Sequence, residues 1–362
     1  MPDLPGVPDA VRVVRADRGA VLVLPAHALA PHDDAPVGRS GAPDGPDGHP
    51  RRVVLDRDGL VPGPDDERTV PTVGDWLLLD ETPDGPRVRA LVPRRTALVR
   101  DTAGKTSQTQ ALAANVDVVL VVEHLDPDPD LGRVERLLTL AWRSGAQPVV
   151  VLTKADLVPD PEGMAAEVAD VALAVDVHAV AVPTGAGLDG VRALLAPGMT
   201  LVVVGPSGAG KSTLVNALAG REVMATGGRR ADGRGRHTTT HRELVPLAGG
   251  AVLIDTPGIR GVGLVADAEA LDTTFADVAD LAARCRFGDC HHTGEPGCAV
   301  QEALEAGELA PRRLDSWRRL EREAAYQARR ADVRLAALER DRWKKITKDM
   351  HRGLRGPGRP RG

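Results

Sequence analysis

The chain has 362 residues, enough for two or three domains with cores of their own, and its formal net charge is −5. Hydrophobic residues make up 42% but aromatics only 2%, so Val, Leu and Ala must fill the interior. No apolar stretch is long enough to cross a bilayer, and the N-terminus lacks a charged-then-apolar signal pattern, so a cytoplasmic chain with no membrane partner is expected.

In chain order, residues 11–24 alternate polar and apolar around Asp17-Arg18-Gly19, the pattern of a β-hairpin. Residues 25–66 are rich in Pro, Gly, Asp and His and read as a mobile insertion, with 52–55 as its one strand candidate. Runs at 73–79 and 87–92 add two strands. The first hundred residues therefore read as a small β-barrel of the OB-fold type, with a β-sandwich as the alternative.

From Asn115 the pattern changes. Apolar runs at 116–122, 148–152, 178–182, 201–204 and 251–254 suit buried parallel strands. Between them Leu131, Val134, Leu137, Leu138 and Ala141 share one helical face, and 163–175 and 188–195 are further helix candidates. Strand-helix alternation predicts an open α/β sheet over 101–264.

Two loops of this sheet carry chemistry. Thr153, Lys154, Ala155 and Asp156 follow a buried strand and form T-K-x-D, the guanine-reading pattern. One carboxylate accepts two hydrogen bonds from the guanine N1–H and N2 amino group, a pair that adenine does not offer. The aliphatic stem of Lys154 can cover the face of the base. Thr at 153 in place of the more usual Asn removes an amide and predicts a looser loop.

Gly205, Pro206, Ser207, Gly208, Ala209, Gly210, Lys211, Ser212 and Thr213 lie between a strand and a helix and match the phosphate-loop spacing G-x-x-x-x-G-K-S. Backbone N–H groups and the helix N-terminus would cradle phosphate oxygens. Lys211 would reach the β- and γ-phosphates, and the Ser212 hydroxyl would ligate Mg²⁺.

Asp255-Thr256-Pro257-Gly258 ends the next strand. Asp255 is a second Mg²⁺ contact, through water, and the Gly258 N–H a γ-phosphate sensor. The loop 233–240 between them is rich in Gly and Thr and suits a nucleotide-ordered switch. Ile259 stands where Ras-like enzymes carry a water-orienting Gln, so intrinsic turnover should be slow. His237 is the candidate catalytic group beside Lys211, the alternative being a solvated loop histidine.

T-K-A-D precedes the phosphate loop, the reverse of the usual order, so the domain reads as circularly permuted. That order sets the D-x-x-G switch just before the C-terminal part, residues 265–362, and predicts that movement on hydrolysis passes into it. There Cys285, Cys290, His292 and Cys298 form a Cys₃His set suited to one structural Zn²⁺, with His291 as the competing imidazole. From residue 311 onward 17 Lys and Arg face 7 Asp and Glu, so this end carries about +10 and the rest about −15. Arg312, Arg313, Arg318, Arg319, Arg329 and Arg330 read either as the solvated side of a helix or as RNA contacts; Trp343 to Arg361, with few acids, favours RNA phosphate.

These motifs, in this order, resemble the small-ribosomal-subunit biogenesis GTPases of the RsgA (YjeQ) type. The resemblance runs from Val73-Gly74-Asp75-Trp76 through Ala114-Asn115-Val116-Asp117, T-K-A-D, the phosphate loop, His237-Thr238-Thr239 and D-T-P-G to the cysteine cluster. It implies a multidomain α/β protein: an N-terminal OB-fold barrel (1–100), a circularly permuted GTPase domain (101–264) and a C-terminal helical zinc-binding domain (265–362).

It also implies GTP/GDP, Mg²⁺ and Zn²⁺ as ligands, Thr239 as a magnesium-binding switch residue, and a catalytic role for His237. The expected function is late maturation of the small ribosomal subunit, with rRNA as a partner, release on hydrolysis and a monomeric state. The guanine-supporting loop appears here as Ala181-Val182-Pro183-Thr184, without the family's Ser. A non-catalytic GTP-dependent RNA adaptor and a P-loop metabolic kinase are the rival readings.

Overall fold

The computed structural model describes residues 9–25, 49–64, 68–101, 109–224, 243–255 and 267–331. Most of the 25–66 insertion, the 233–240 loop with His237, Thr238 and Thr239, the Gly258 and Ile259 positions and the basic end beyond 331 lie outside the described residues.

The N-terminal unit is antiparallel. β1 (Val11–Asp17) and β2 (Ala20–Pro25) form the expected hairpin, turning at Gly19 with φ +77°, a conformation that favours glycine. β2 pairs with β3 (Arg51–Val54), followed by the short β4 (Val61–Pro62) and β5 (Arg68–Thr69). β1 also pairs with β6 (Trp76–Thr82), which pairs with β7 (Gly85–Leu91). The sheet curls until β3 lies against β7, around a core of Val13, Val21, Val23, Val53, Val61, Leu77 and Leu91. β6 starts three residues later than its apolar run suggests. Gly74 has φ +92°, a Cβ there would lie 2.1 Å from the Ala114 carbonyl oxygen, and the Asp75 carboxylate takes the Thr72 N–H. A turn occupies those residues instead.

A hairpin not foreseen from the sequence follows, β8 (Ala97–Asp101) with β9 (Thr109–Ala114). Its Leu98, Leu112 and Ala113 pack into the core of the central sheet.

That sheet has five parallel strands in the order β12, β11, β10, β13, β15: β10 (Val118–His124), β11 (Gln147–Thr153), β12 (Asp176–Ala179), β13 (Thr200–Val204) and β15 (Val252–Asp255). Their Val and Leu side chains are buried on both faces, as helix-covered parallel strands require. α1 (Leu131–Arg143) and α2 (Pro161–Ala169) cover one face; α3 (Leu188–Arg192) and α4 (Lys211–Ala219) cover the other. α2 and α3 stop short of the expected 175 and 195, and β12 is shifted toward 176. Asp130 and Asp160 cap α1 and α2 through the N–H groups of Arg133 and Gly163.

β14 (Glu243–Pro246) runs antiparallel to β15 and bridges to β1 at Arg15 and Glu243, so the central sheet continues into the N-terminal one. The C-terminal unit is helical: α5 (Ala268–Thr274), α6 (Ala276–Ala282), α7 (Ala299–Glu305) and α8 (Pro311–Ala331), around Leu271, Phe275, Val278, Val300, Leu309, Leu314 and Leu320. Among the described residues no helix is long and apolar enough to cross a membrane.

Candidate nucleotide site and metal centre

Register brings the loops together. His124 of β10 pairs with Thr153 of β11, and Val121 of β10 pairs with Val204 of β13. The T-K-A-D loop and the phosphate loop therefore leave the same edge of the sheet, at the carboxyl ends of its strands, where open α/β sheets bind ligands.

The phosphate loop is fixed by glycine. At Gly205, φ is +146° and an added Cβ would lie 2.1 Å from the Val122 carbonyl oxygen of the neighbouring strand. Gly210, φ +74°, starts α4, so Lys211, Ser212 and Thr213 form its first turn. Ala209 is fully buried beneath the loop, whereas Ser207 and Gly208 face solvent. The Lys211 ammonium donates to the Gly205 carbonyl at 2.9 Å and to that of Pro206. It thus lies over the loop's own mouth.

The T-K-A-D loop is stitched directly to this one. Thr153 is buried, and its hydroxyl donates to the Ala209 carbonyl at 2.8 Å and approaches that of Glu123 at 3.3 Å. With Thr in place of Asn, one hydroxyl still provides a cross-link between the two loops. Lys154 adopts a left-handed conformation, φ 62°, and its ammonium donates to the Asp126 carbonyl at 2.7 Å. A 3₁₀ turn, Ala155–Leu157, presents an exposed Asp156. The Ala155 N–H bonds the Val180 carbonyl, which sets 181–184 beside this loop. Asp255 is the last residue of β15, one position beyond the Val202–Ile254 pair. Gly258, His237 and Thr239 are outside the described residues.

Beside the loops lies a feature the sequence did not signal. Glu123, fully buried, accepts two N–H groups of Arg133 at 2.7 and 3.2 Å, and the His124 Nδ1 lies 2.8 Å from the Pro127 carbonyl, to which it donates when it carries the proton. The Arg133 guanidinium is raised above its ordinary value chiefly by its hydrogen bond to Glu123.

The second cluster is assembled as expected. The ligand atoms of Cys285, Cys290, His292 and Cys298 lie within 4.8 Å of one another. The His292 Nδ1 is 3.5 and 3.4 Å from the sulfurs of Cys285 and Cys298, which are 3.9 Å apart. Metal–sulfur bonds of about 2.3 Å in a tetrahedron require sulfurs about 3.8 Å apart, so these spacings fit a four-coordinate ion.

His292, φ +57°, turns its ring inward against Trp317, while the N–H of His291 is held by Glu295 at 3.0 Å and its ring lies outside the cluster. Of the two imidazoles, the structure brings that of His292 into the cluster and not that of His291. The Glu295 carboxyl is held down at about 2 by its own N–H, then by those of Thr293 and His291.

The arginines at the start of α8 correct the reading of a purely solvated face. Arg313 is 3% exposed and bonds Glu135 of α1, Asp277 of α6 and the carbonyls of Val171 and Thr274. Arg312 bonds the same Glu135 at 2.9 and 3.2 Å.

Fold and site define a P-loop nucleotide-binding protein whose base-reading loop comes before its phosphate loop, joined to a Cys₃His module. Residues 91–265 match the family model described as RsgA GTPase. A protein of Streptomyces avermitilis named "Small ribosomal subunit biogenesis GTPase RsgA" is 52% identical over 296 residues, 81% of this chain and 80% of its own length. The Streptomyces coelicolor protein of that name is 47% identical over 338 residues, 92% and 85% of the two lengths. The fold is shared with YjeQ from Thermotoga maritima (TM-score 0.58, 22% identity, 88% of this chain and 98% of that one). It is shared equally with YloQ, described as a circularly permuted GTPase (TM-score 0.58, 22% identity, 88% and 95%). This chain belongs to the RsgA GTPase family.

Proposed function

We propose that the chain binds and hydrolyses GTP and acts in maturation of the small ribosomal subunit, in the cytoplasm and as a monomer, binding rRNA and leaving when GTP is hydrolysed. The observation that carries the guanine reading is the 2.8 Å bond from Thr153 to the Ala209 carbonyl. It ties the strand end bearing Asp156 to the loop bearing Lys211, so one nucleotide can reach both.

In this reading Asp156 accepts the guanine N1–H and amino group. Lys211 leaves the carbonyls of Gly205 and Pro206 for the β- and γ-phosphates, and the backbone from Gly205 to Thr213 donates to their oxygens. Ser212, Thr239 and Asp255 would hold Mg²⁺, which neutralises charge on the β- and γ-oxygens when bound. The Gly258 N–H senses the γ-phosphate, and His237 orients the attacking water. Cys285, Cys290, His292 and Cys298 would hold one Zn²⁺, a structural ion that would support folding of this unit.

The division proposed is an N-terminal OB-fold unit (1–100), a GTPase unit (101–264) and a C-terminal zinc unit (265–362). The curled β1–β7 sheet supports the first, and the cluster of four ligands supports the last.

The test is single-turnover hydrolysis with and without small subunits, for the wild type and Asp156→Asn. Slow GTP hydrolysis accelerated by the subunit is expected. Asp156→Asn should lose GTP binding by about 100-fold and gain xanthosine triphosphate, whose C2 carbonyl accepts where guanine donates. Equal use of ATP and GTP by the wild type would sink the guanine reading. Absence of stimulation would leave a GTP-bound adaptor.

A further inference from the structure

A cleft of about 990 Å³ opens between the start of α1 and one side of α8, lined in part by Asp130, Gly132, Arg312, Asp315, Arg319 and Arg322. Positions 312, 315, 319 and 322 are spaced by three and four residues, so they form one stripe along the helix. Tyr326, 51% exposed, extends the stripe by another turn.

The arginines of the cleft are not equally engaged. Arg312 is answered by Glu135, and Arg318 gives an N–H to the His292 carbonyl at 2.6 Å. Arg319 reaches only the Ser316 hydroxyl, at 3.5 Å, and Arg322 has no hydrogen-bond or ion-pair partner among the described residues. Of the acids, Asp130 already caps α1 and lies 3.4 Å from Arg133, which leaves Asp315 as the exposed carboxylate of the stripe. Two exposed guanidiniums without a carboxylate partner therefore face one cleft from one side of α8, and the half-exposed Tyr326 ring lies one turn further along the same stripe.

We propose that this cleft docks the phosphate backbone of a single RNA strand, with Arg319 and Arg322 as the phosphate contacts and Tyr326 as a stacking surface for an unpaired base. The planar fork of arginine matches phosphate with two parallel hydrogen bonds, and unpaired bases stack on exposed aromatic rings. The choice of RNA over an acidic protein rests on the reading above that the partner is the small ribosomal subunit.

One wall belongs to α1 of the nucleotide-binding unit and the other to α8 of the C-terminal unit, so a strand seated there would clamp the two together. The α1 wall follows directly on the loop whose Asp126 carbonyl holds Lys154 of T-K-A-D. The cleft thus lies one short loop from the base-reading site.

The test uses the full chain with the double substitution Arg319→Gln and Arg322→Gln, and Arg192→Gln on exposed α3 as a control. Binding to protein-free small-subunit rRNA and to intact small subunits is measured across about 50 to 200 mM salt with a non-hydrolysable GTP analogue. The double variant should lose about 10-fold in rRNA affinity, and its slope of log K against log salt should become shallower by about 1 to 2, one phosphate contact per arginine. Its basal hydrolysis and melting temperature should match the wild type, and the control should change neither affinity nor slope.

An unchanged slope overturns the proposal. So does a loss seen with intact subunits but not with naked rRNA, which would make the occupant an acidic protein surface. A wild type that binds neither rRNA nor subunits would instead bring down the functional reading together with the cleft.

Discussion

Two arginines fasten the outer units to the central one, and they do so by opposite electrostatic means. Arg313 joins the C-terminal unit: it is 3% exposed, meets Glu135 at 2.9 Å and Asp277 with two N–H groups at 2.9 Å, and lies 4.3 Å over the Phe275 ring. Arg12 joins the N-terminal unit: it is 5% exposed, yet its partners are neutral. It donates to the Thr200 hydroxyl at 2.7 Å, approaches the Asn115 carbonyl at 3.4 Å and lies 5.2 Å from the Trp76 ring centre, with Nε unpartnered.

A buried cation with carboxylate partners recovers part of its lost hydration, and one with neutral partners recovers less. Desolvation accordingly lowers the Arg12 guanidinium from its ordinary value to about 10, against the attraction of Asp117. The C-terminal joint is held by compensated charge. The N-terminal joint is held in spite of a charge.

The largest effect should come from breaking the compensated joint. Arg313→Met leaves Asp277 and the carbonyls of Thr274 and Val171 without their donor and removes one of two arginines from a fully buried Glu135. Removing one member of such a buried set costs about 3 to 5 kcal/mol. Denaturant unfolding should show that loss, with the C-terminal unit melting first. A loss below about 1 kcal/mol would mean that Arg312 alone suffices for Glu135.

Arg12→Met should carry the opposite sign. The folded guanidinium value, about 10, lies below that of the unfolded chain, which therefore holds the proton more tightly. At neutral pH both states are charged and the desolvation is a standing cost, which is relieved only as pH rises past about 10. Replacement by an apolar side chain of similar length should therefore be neutral or stabilising by about 1 to 3 kcal/mol. Melting curves of the two Met variants side by side decide the matter: equal destabilisation would erase the contrast between the joints.

Neither joint stands out in the sequence, although the loops between them do. G-x-x-x-x-G-K-S and T-K-x-D are legible because each residue type is tied to a local backbone demand, as Gly205 against the Val122 carbonyl shows. Four ligands within fourteen residues are legible for the same reason: chain geometry alone brings them together. Arg12 alternates with the core residues Val11 and Val13 on β1, which in an isolated sheet means solvent. Here a second unit covers that face.

Arg313 precedes Ser316, Trp317 and Leu320 by three, four and seven residues, which places it on the buried side of α8. That was the available signal, masked by the many arginines around it. The β8–β9 hairpin was missed because Thr109-Gln110 and the connection before it carry no apolar run. Gly74 and Asn115, noted only as parts of the family resemblance, turn out to be tied together: the Asn115 side chain donates to the Gly74 carbonyl at 2.9 Å.

The smallest effect is the most discriminating. Thr200, 1% exposed, begins β13, the strand that runs into the phosphate loop, and its hydroxyl is the shortest contact of Arg12. Thr200→Val keeps the shape and removes the acceptor. In the wild type this leaves a buried guanidinium N–H without its partner and should cost about 1 to 3 kcal/mol. In the Arg12→Met background the same substitution removes no bond and should cost nothing beyond the hydroxyl's own loss.

A double-mutant cycle on unfolding free energy thus isolates the coupling, expected at about 1 kcal/mol or more. A coupling near zero would mean that the Arg12 charge is satisfied elsewhere, through the Asn115 carbonyl or the Trp76 ring, and that the strand leading to the phosphate loop is not held by the N-terminal unit through this contact.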